Sequence, residues 1–164
     1  MHNLGKYLKV IAGILIILFI SHFFRFGPGT HGKIKGYQYT VTKFELEKAI
    51  DTVLKNSETV SRQAHIHEHL NDGINYVSID VYKDGHSYEY VISYYGDSTY
   101  WKNSPNSEVA VVYAWDWKGN GGSEGNGNFT YRWWLKRKLT SIFESEFIEK
   151  VDKQLGKVHV VDPD

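Results

Sequence analysis

Two runs of alternating apolar and polar residues, Tyr76 to Tyr82 and Ser87 to Tyr95, flank Lys83-Asp84-Gly85-His86. Asp-Gly suits a two-residue type I′ turn, because both central residues of that turn need positive φ. With Asp84 and Gly85 as the loop, the pairing register follows. Val77, Ile79 and Val81 then lie opposite Ile92, Tyr90 and Tyr88 on one face, while Ser78, Asp80 and Tyr82 lie opposite Val91, Glu89 and Ser87 on the other. One face is apolar and the other largely polar, so an antiparallel sheet covered on one side is expected. The supply of rings fits a sheet too: Tyr 12, Trp 5 and Phe 8 against Met 1.

Other segments complete an α+β domain. Gly36 to Val41 reads as a short first strand at the sheet edge. Thr42-Lys43-Phe44-Glu45 has capping-box spacing, and Leu46, Ala49, Ile50, Val53 and Leu54 follow at helical intervals, which predicts a helix over 43–55. The stretch from Ser57 to Leu70 is polar and lacks a clear period, and Asn71-Asp72-Gly73 closes it as a turn. A third long strand is predicted from Glu108 to Trp117, with Val109, Val111, Tyr113, Trp115 and Trp117 on one face and Ala110, Val112, Ala114 and Asp116 on the other. Alternation alone does not say which of those faces is inward. Between Thr130 and Leu155, the residues Leu135, Leu139, Ile142, Phe143, Phe147, Val151 and Leu155 fall near one helical stripe, with Gly156 as C-cap. Val158 to Val161 reads as a short last strand. The expected order is β-α-β-β-β-α, a mainly antiparallel sheet covered on one face by two helices.

Ahead of this domain, Val10 to Ile20 is unbroken apolar or small residue and continues through Phe23 and Phe24, between Lys9 and Arg25. Those fifteen residues make a helix of about 22 Å, which snorkelling of the flanking cations and local thinning match to a bilayer. Ser21-His22-Phe23-Phe24-Arg25-Phe26 offers no small-x-small cleavage pattern, so an uncleaved transmembrane anchor is expected over 1–26 rather than a removed signal peptide. Gly27-Pro28-Gly29-Thr30-His31-Gly32 opens a flexible linker over 27–36, and 37–164 is read as one soluble domain. Basic residues balance across the apolar segment, but a short tail followed by a long polar domain is the usual shape of a signal anchor. The domain is therefore expected on the non-cytoplasmic side, periplasmic or extracellular, of a single-pass protein.

Lys plus Arg equals Asp plus Glu at 19 each, which leaves no net field to attract nucleic acid. Cysteine is absent, which excludes a disulfide framework, a thiolate metal site and a cysteine nucleophile.

Three features point toward binding chemistry. His65-Ile66-His67-Glu68-His69 brings His65 and His69 one turn apart on a helix, or all three imidazoles to one face on a strand. Either arrangement suits a divalent transition metal such as zinc, and a hydrolytic role would need all three ligands. The metalloprotease order His-Glu-x-x-His is not met, and an exposed polar connection is the simpler reading. The loop from Lys118 to Asn128 is dense in glycine and asparagine but lacks the Gly-Lys-Ser/Thr ending of a phosphate loop. Aromatic residues gather around that loop, and Trp133-Trp134 followed by Lys136-Arg137-Lys138 is a composition that rests on anionic bilayers. No nucleophile elbow or kinase signature occurs, and Asp80 beside Glu89 on an open face reads as tolerated repulsion. The expectation is a membrane-anchored, non-enzymatic interaction domain without cofactor. Its partner is a protein or envelope component held by Trp117, Asn120, Glu124, Asn126, Trp133 and Trp134, and metal binding by His65, His67 and His69 is the alternative.

Overall fold

A computed structural model of the protein describes residues 32–63, 76–123 and 132–161. The apolar N-terminal segment, the His65, His67 and His69 cluster, Glu124 and Asn126 lie outside the described residues. No described helix is long and apolar enough to cross a membrane.

The fold is α+β, a mainly antiparallel sheet with three helices. Its elements are β1 (Lys35–Tyr39), α1 (Lys43–Asn56), β2 (Val60–Arg62), β3 (Tyr76–Lys83), β4 (His86–Tyr94), α2 (Ser98–Asn103), β5 (Ser107–Trp115) and β6 (Gly121–Gly122). A long helix α3 follows, Trp133–Phe143 continuing through a π-helical stretch, Glu144–Ile148, into Glu149–Leu155, and β7 (Val160–Val161) ends the series. The described strands order as β2-β3-β4-β5-β1-β7, with β6 also on β5. Compared with the expected order, β2, α2 and β6 are additions, and β1 begins two residues inside the anticipated linker. β1 is also not an edge strand, since it pairs with β5 on one side and β7 on the other.

The hairpin has the register that its turn implies. Val77, Ile79 and Val81 stand opposite Ile92, Tyr90 and Tyr88, and Asp84 and Gly85 take φ of 52° and 77°. Helix α1 starts on the predicted capping box. The Thr42 hydroxyl accepts from the Glu45 N–H at 3.3 Å, and the Glu45 carboxylate accepts from the Thr42 N–H at 2.9 Å. These bonds satisfy donors that a helix start leaves open, and they hold the Glu45 carboxyl below the usual carboxylate range.

β5 departs from simple alternation. Val91 of β4 faces Tyr113, but the next residue, Ile92, faces Val111, so Val112 is an extra residue bulged out of the ladder. The bulge shifts the phase by one. Val109 and Val111 point into the main core, as does Ala114, whereas Val112, Tyr113 and Trp115 go to the opposite face. The expected grouping of Tyr113 and Trp115 with Val109 and Val111 is thereby corrected.

The main core lies between the sheet and helices α1 and α3. Tyr37, Tyr90, Ile79 and Ile92 from the sheet meet Leu46 and Ile50 of α1 and Leu135, Leu139, Phe143 and Phe147 of α3, all essentially buried. The π-helical stretch makes its turn wider by about one residue, and Phe147 and Ile148, neighbours in sequence, are both fully buried there. Three core-facing tyrosines also hydrogen-bond α3. Tyr37 donates to Glu144 at 3.3 Å, Tyr39 to Asp152 at 2.9 Å and Tyr90 to the Leu139 carbonyl at 3.0 Å. The sheet's other face is less polar than alternation suggested, since Tyr76, Val91 and Val112 form a second buried cluster there.

Candidate functional site

β5 ends in a tight turn that positions Trp117. The Asp116 carboxylate accepts from the N–H groups of Lys118 at 2.9 Å and Asn120 at 2.8 Å, and from the Asn120 side-chain amide at 3.1 Å. The backbone closes the same turn, Asp116 N–H donating to the Asn120 carbonyl at 2.9 Å and Gly119 N–H to the Asp116 carbonyl at 2.8 Å. Partial burial pushes the Asp116 carboxyl upward, but the donors from Asn120 and Lys118 outweigh it and leave that group below the usual range. The chain then doubles back. Gly121 and Gly122 pair with Trp115 and Ala114, along the side of β5 that β1 occupies further down. A Cβ on Gly121 would lie 1.9 Å from the Ala114 carbonyl oxygen, and Gly121 sits at φ 151°, so only glycine fits there. The start of the glycine-rich segment is thus part of the sheet, where a loop was expected.

The turn presents Trp117 with its indole 48% exposed. His86, from the start of β4, stacks on it with ring centroids 4.4 Å apart and planes 7° apart, and the Lys118 ammonium lies 4.6 Å from the ring centre. Trp117 divides two open depressions of opposite character. On one side a cleft of about 550 Å³ is lined by Asp80, Glu89, Asp116 and Trp115. On the other a groove of about 560 Å³ is lined by Lys83, Lys138, His86 and Tyr88, with Asp84 the one carboxylate among them, so that its balance is basic. Asp80 and Glu89 are cross-strand neighbours as the register requires. Asp80 accepts from the Gln63 side-chain amide at 2.6 Å and the Ser87 hydroxyl at 3.4 Å, so its carboxylate is already used in holding the face together.

The residues singled out from sequence therefore separate. Trp117 and Asn120 share one turn, where Asn120 spends its amide hydrogens on Asp116. Trp133 and Trp134 stand on the first turn of α3, 67% and 56% exposed, and Trp134 precedes Lys138 of the basic groove by one helical turn. Trp115 and Tyr113 stack on each other at 5.4 Å on the face away from the helices. Among the described residues, no group of three His, Asp or Glu side chains is arranged to hold a metal ion.

Two arrangements escaped sequence reasoning. Glu108, buried in the sheet, bonds the Lys33 ammonium at 2.9 Å, and the pair lies across Gly36, where a Cβ would come within 2.4 Å of the Glu108 carboxylate. The pair borders a cavity of about 500 Å³ that Tyr95, Tyr100 and Ser107 also line. A carboxylate inside an otherwise apolar strand was the available signal. His159 Nδ1 lies 2.9 Å from Asp152, whose other carboxylate oxygen accepts from Tyr39, and this ties the segment before β7 to α3 and β1. Nothing in the spacing of Tyr39, Asp152 and His159 announces that meeting.

Compared with known protein families, with characterised proteins and with solved structures, the chain matches none of them.

Proposed function

We propose that this chain is a membrane-anchored binding domain, held on the non-cytoplasmic side by its N-terminal apolar segment. It captures a protein or envelope component at the Trp117 end of the sheet and performs no chemistry of its own. The observation that carries this reading is the setting of Trp117. A carboxylate, an asparagine amide and a glycine that tolerates no side chain build one turn, and that turn holds a large indole half in solvent against His86. A ring kept this rigid and this exposed contributes little to a core, and it offers contact area at low entropic loss on binding.

The test is capture from native membranes by the full chain and by Trp117→Ala, read by mass spectrometry. Partners bound by the wild type are expected to be missing or at least about tenfold reduced with the variant, in line with loss of one buried aromatic anchor. An unchanged partner set would refute the reading.

A further inference from the structure

Trp117 and the first residue of β1 lie toward the same end of the sheet. Ile34 N–H donates to the Val111 carbonyl at 2.7 Å, Lys35 stands opposite Val111, and β1 then runs away toward Tyr39 opposite Ser107. Lys35 therefore lies toward the end of the sheet at which β5 reaches Trp115. Helix α3 runs the same way as β1, since Tyr37 meets Glu144 and Tyr39 meets Asp152 further along the helix. Its first turns accordingly lie at that same end, beside the groove that Lys83 and Lys138 line, where the Lys138 ammonium is 5.7 Å from the Tyr88 ring centre.

Those first turns have an unusual surface. Trp133 and Trp134 are the most exposed tryptophans described, and Arg132, Arg137 and Lys138 are exposed around them. No acidic residue occurs from Arg132 to Phe143. Each indole is followed one turn later by a cation, Trp133 by Arg137 and Trp134 by Lys138. The rings thus sit about 6 Å nearer the helix tip than the charges. Adjacent helical residues diverge by about 100°, so the two indoles spread over a broad arc. That spread suits a planar surface better than a groove, which takes anchors spaced three or four apart. Indole at the headgroup boundary with cations at phosphate level is the arrangement by which proteins rest on anionic bilayers.

We infer that this end of the domain lies on the headgroup layer of an anionic bilayer, with Trp133 and Trp134 entering the interface and Arg137 and Lys138 pairing with lipid phosphates. The inference rests on the membrane-anchored reading. On that reading nine residues stand between Arg25 and Lys35, a tether of at most about 32 Å when fully extended. A tether that short gives the surface a high effective concentration of headgroups.

The test uses the full chain in vesicles of phosphatidylcholine brominated high on the acyl chains, with and without phosphatidylglycerol. All tryptophans belong to the domain, from Trp101 to Trp134, so their emission reports the domain alone. Quenching by bromine is expected, stronger with the anionic lipid, and reduced about twofold or more in Trp133→Phe/Trp134→Phe. Arg137→Glu/Lys138→Glu is expected to remove the anionic increment, as is raising salt to about 0.5 M, where screening shortens to about 4 Å. Unchanged far-ultraviolet circular dichroism certifies the fold of each variant. Absence of quenching in vesicles that retain the chain after carbonate washing overturns this inference alone, as does quenching that the double Phe variant preserves. Tryptophans 133 and 134 that stay unquenched while protein capture depends on them assign the patch to a protein. Release of the chain by carbonate overturns the anchored reading and this inference with it.

Discussion

The imidazole of His86 lies flat on the indole of Trp117, 7° from parallel, and joins the start of β4 to the turn after β5. Neither residue belongs to the core, so their mutual packing fixes the orientation of the one ring that separates the acidic cleft from the basic groove. His86→Ala is expected to lower stability by about 0.5–1 kcal/mol, the worth of such a ring pair, while reducing partner capture more than that loss explains. Urea denaturation beside the capture assay checks it. Capture that survives His86→Ala intact would mean that the stack does not preorganise Trp117.

Gly119 and Gly121 belong to the same turn and should respond differently to alanine. Gly119 has φ 76° with nothing near an added Cβ, so Gly119→Ala carries only the left-handed backbone penalty of about 1 kcal/mol. Gly121→Ala drives a Cβ into the Ala114 carbonyl and separates β6 from β5. A loss of about 2–3 kcal/mol is expected, with Trp117 displaced. Equal denaturation midpoints for the two variants would contradict the closeness of that contact.

Alkali should unfold the domain through its phenols. Burial pushes Tyr37, Tyr39, Tyr90 and Tyr94 well above the ordinary value of 10.0, and the carboxylates near Tyr37, Tyr39 and Tyr94 push the same way. Above pH 10 the unfolded chain loses these protons and the folded chain keeps them. Their contribution is therefore fully present below pH 10 and declines as pH rises, by up to about 1.4 kcal/mol per unit for each phenol. Urea midpoints followed from about pH 8 to pH 12 should fall steeply, and Tyr90→Phe should make the slope shallower. A flat profile would show that these phenols ionise normally in the folded protein.

Helix α3 begins badly by the usual rules. Arg132 stands at the N-cap with no side-chain hydrogen bond, and the first turn holds no acid. Arg132→Asp supplies both a cap acceptor and a negative charge at the positive end of the helix dipole, and is expected to add about 1 kcal/mol. The same change should weaken quenching of the helix-tip tryptophans in anionic vesicles, since it places an acid among the cations. A thermal melt and the vesicle measurement read the two effects separately. A variant no more stable than wild type would contradict the expectation that a side-chain cap is what this helix start lacks.

Features carried by local chemistry were readable before any fold was known. The Asp84-Gly85 turn, the alternation around it and the Thr42 capping box each act over a few residues, and each appears as expected. The stripe from Leu135 to Leu155 was read as one helix, and its interruption by a π-helical stretch was not, because that stretch keeps the apolar residues inward without any Gly or Pro to mark it. The bulge at Val112 was equally silent. A valine there reads the same in or out of phase, and only the pairing of Ile92 with Val111 reveals the shift. Asp97, whose carboxylate accepts from the N–H groups of Thr99 and Tyr100, was a legible start for α2 that six residues of helix did not make periodic. The loop from Lys118 was anticipated by composition, but Asp116 and Trp117 were read as strand, and the turn they make after β5 ends at Trp115 depends on the Asp116 carboxylate and on β6 returning to β5. The membrane anchor and the histidine cluster lie outside the described residues.

The placement of β1 has a mechanical consequence. If the proposed anchor is loaded, the force reaches the domain at Lys35, the start of β1, whose five residues from Lys35 opposite Val111 to Tyr39 opposite Ser107 pair along β5, with Tyr37 and Gln38 also paired to β7. Dragging the strand out along its own axis loads those pairs together, instead of peeling them from one end as a frayed hairpin would be. Tyr37 and Tyr39 add hydrogen bonds from β1 to α3. A load applied along the axis of β1 thus meets a clasp in shear, and its lifetime is governed by the rate of strand extraction rather than by equilibrium stability.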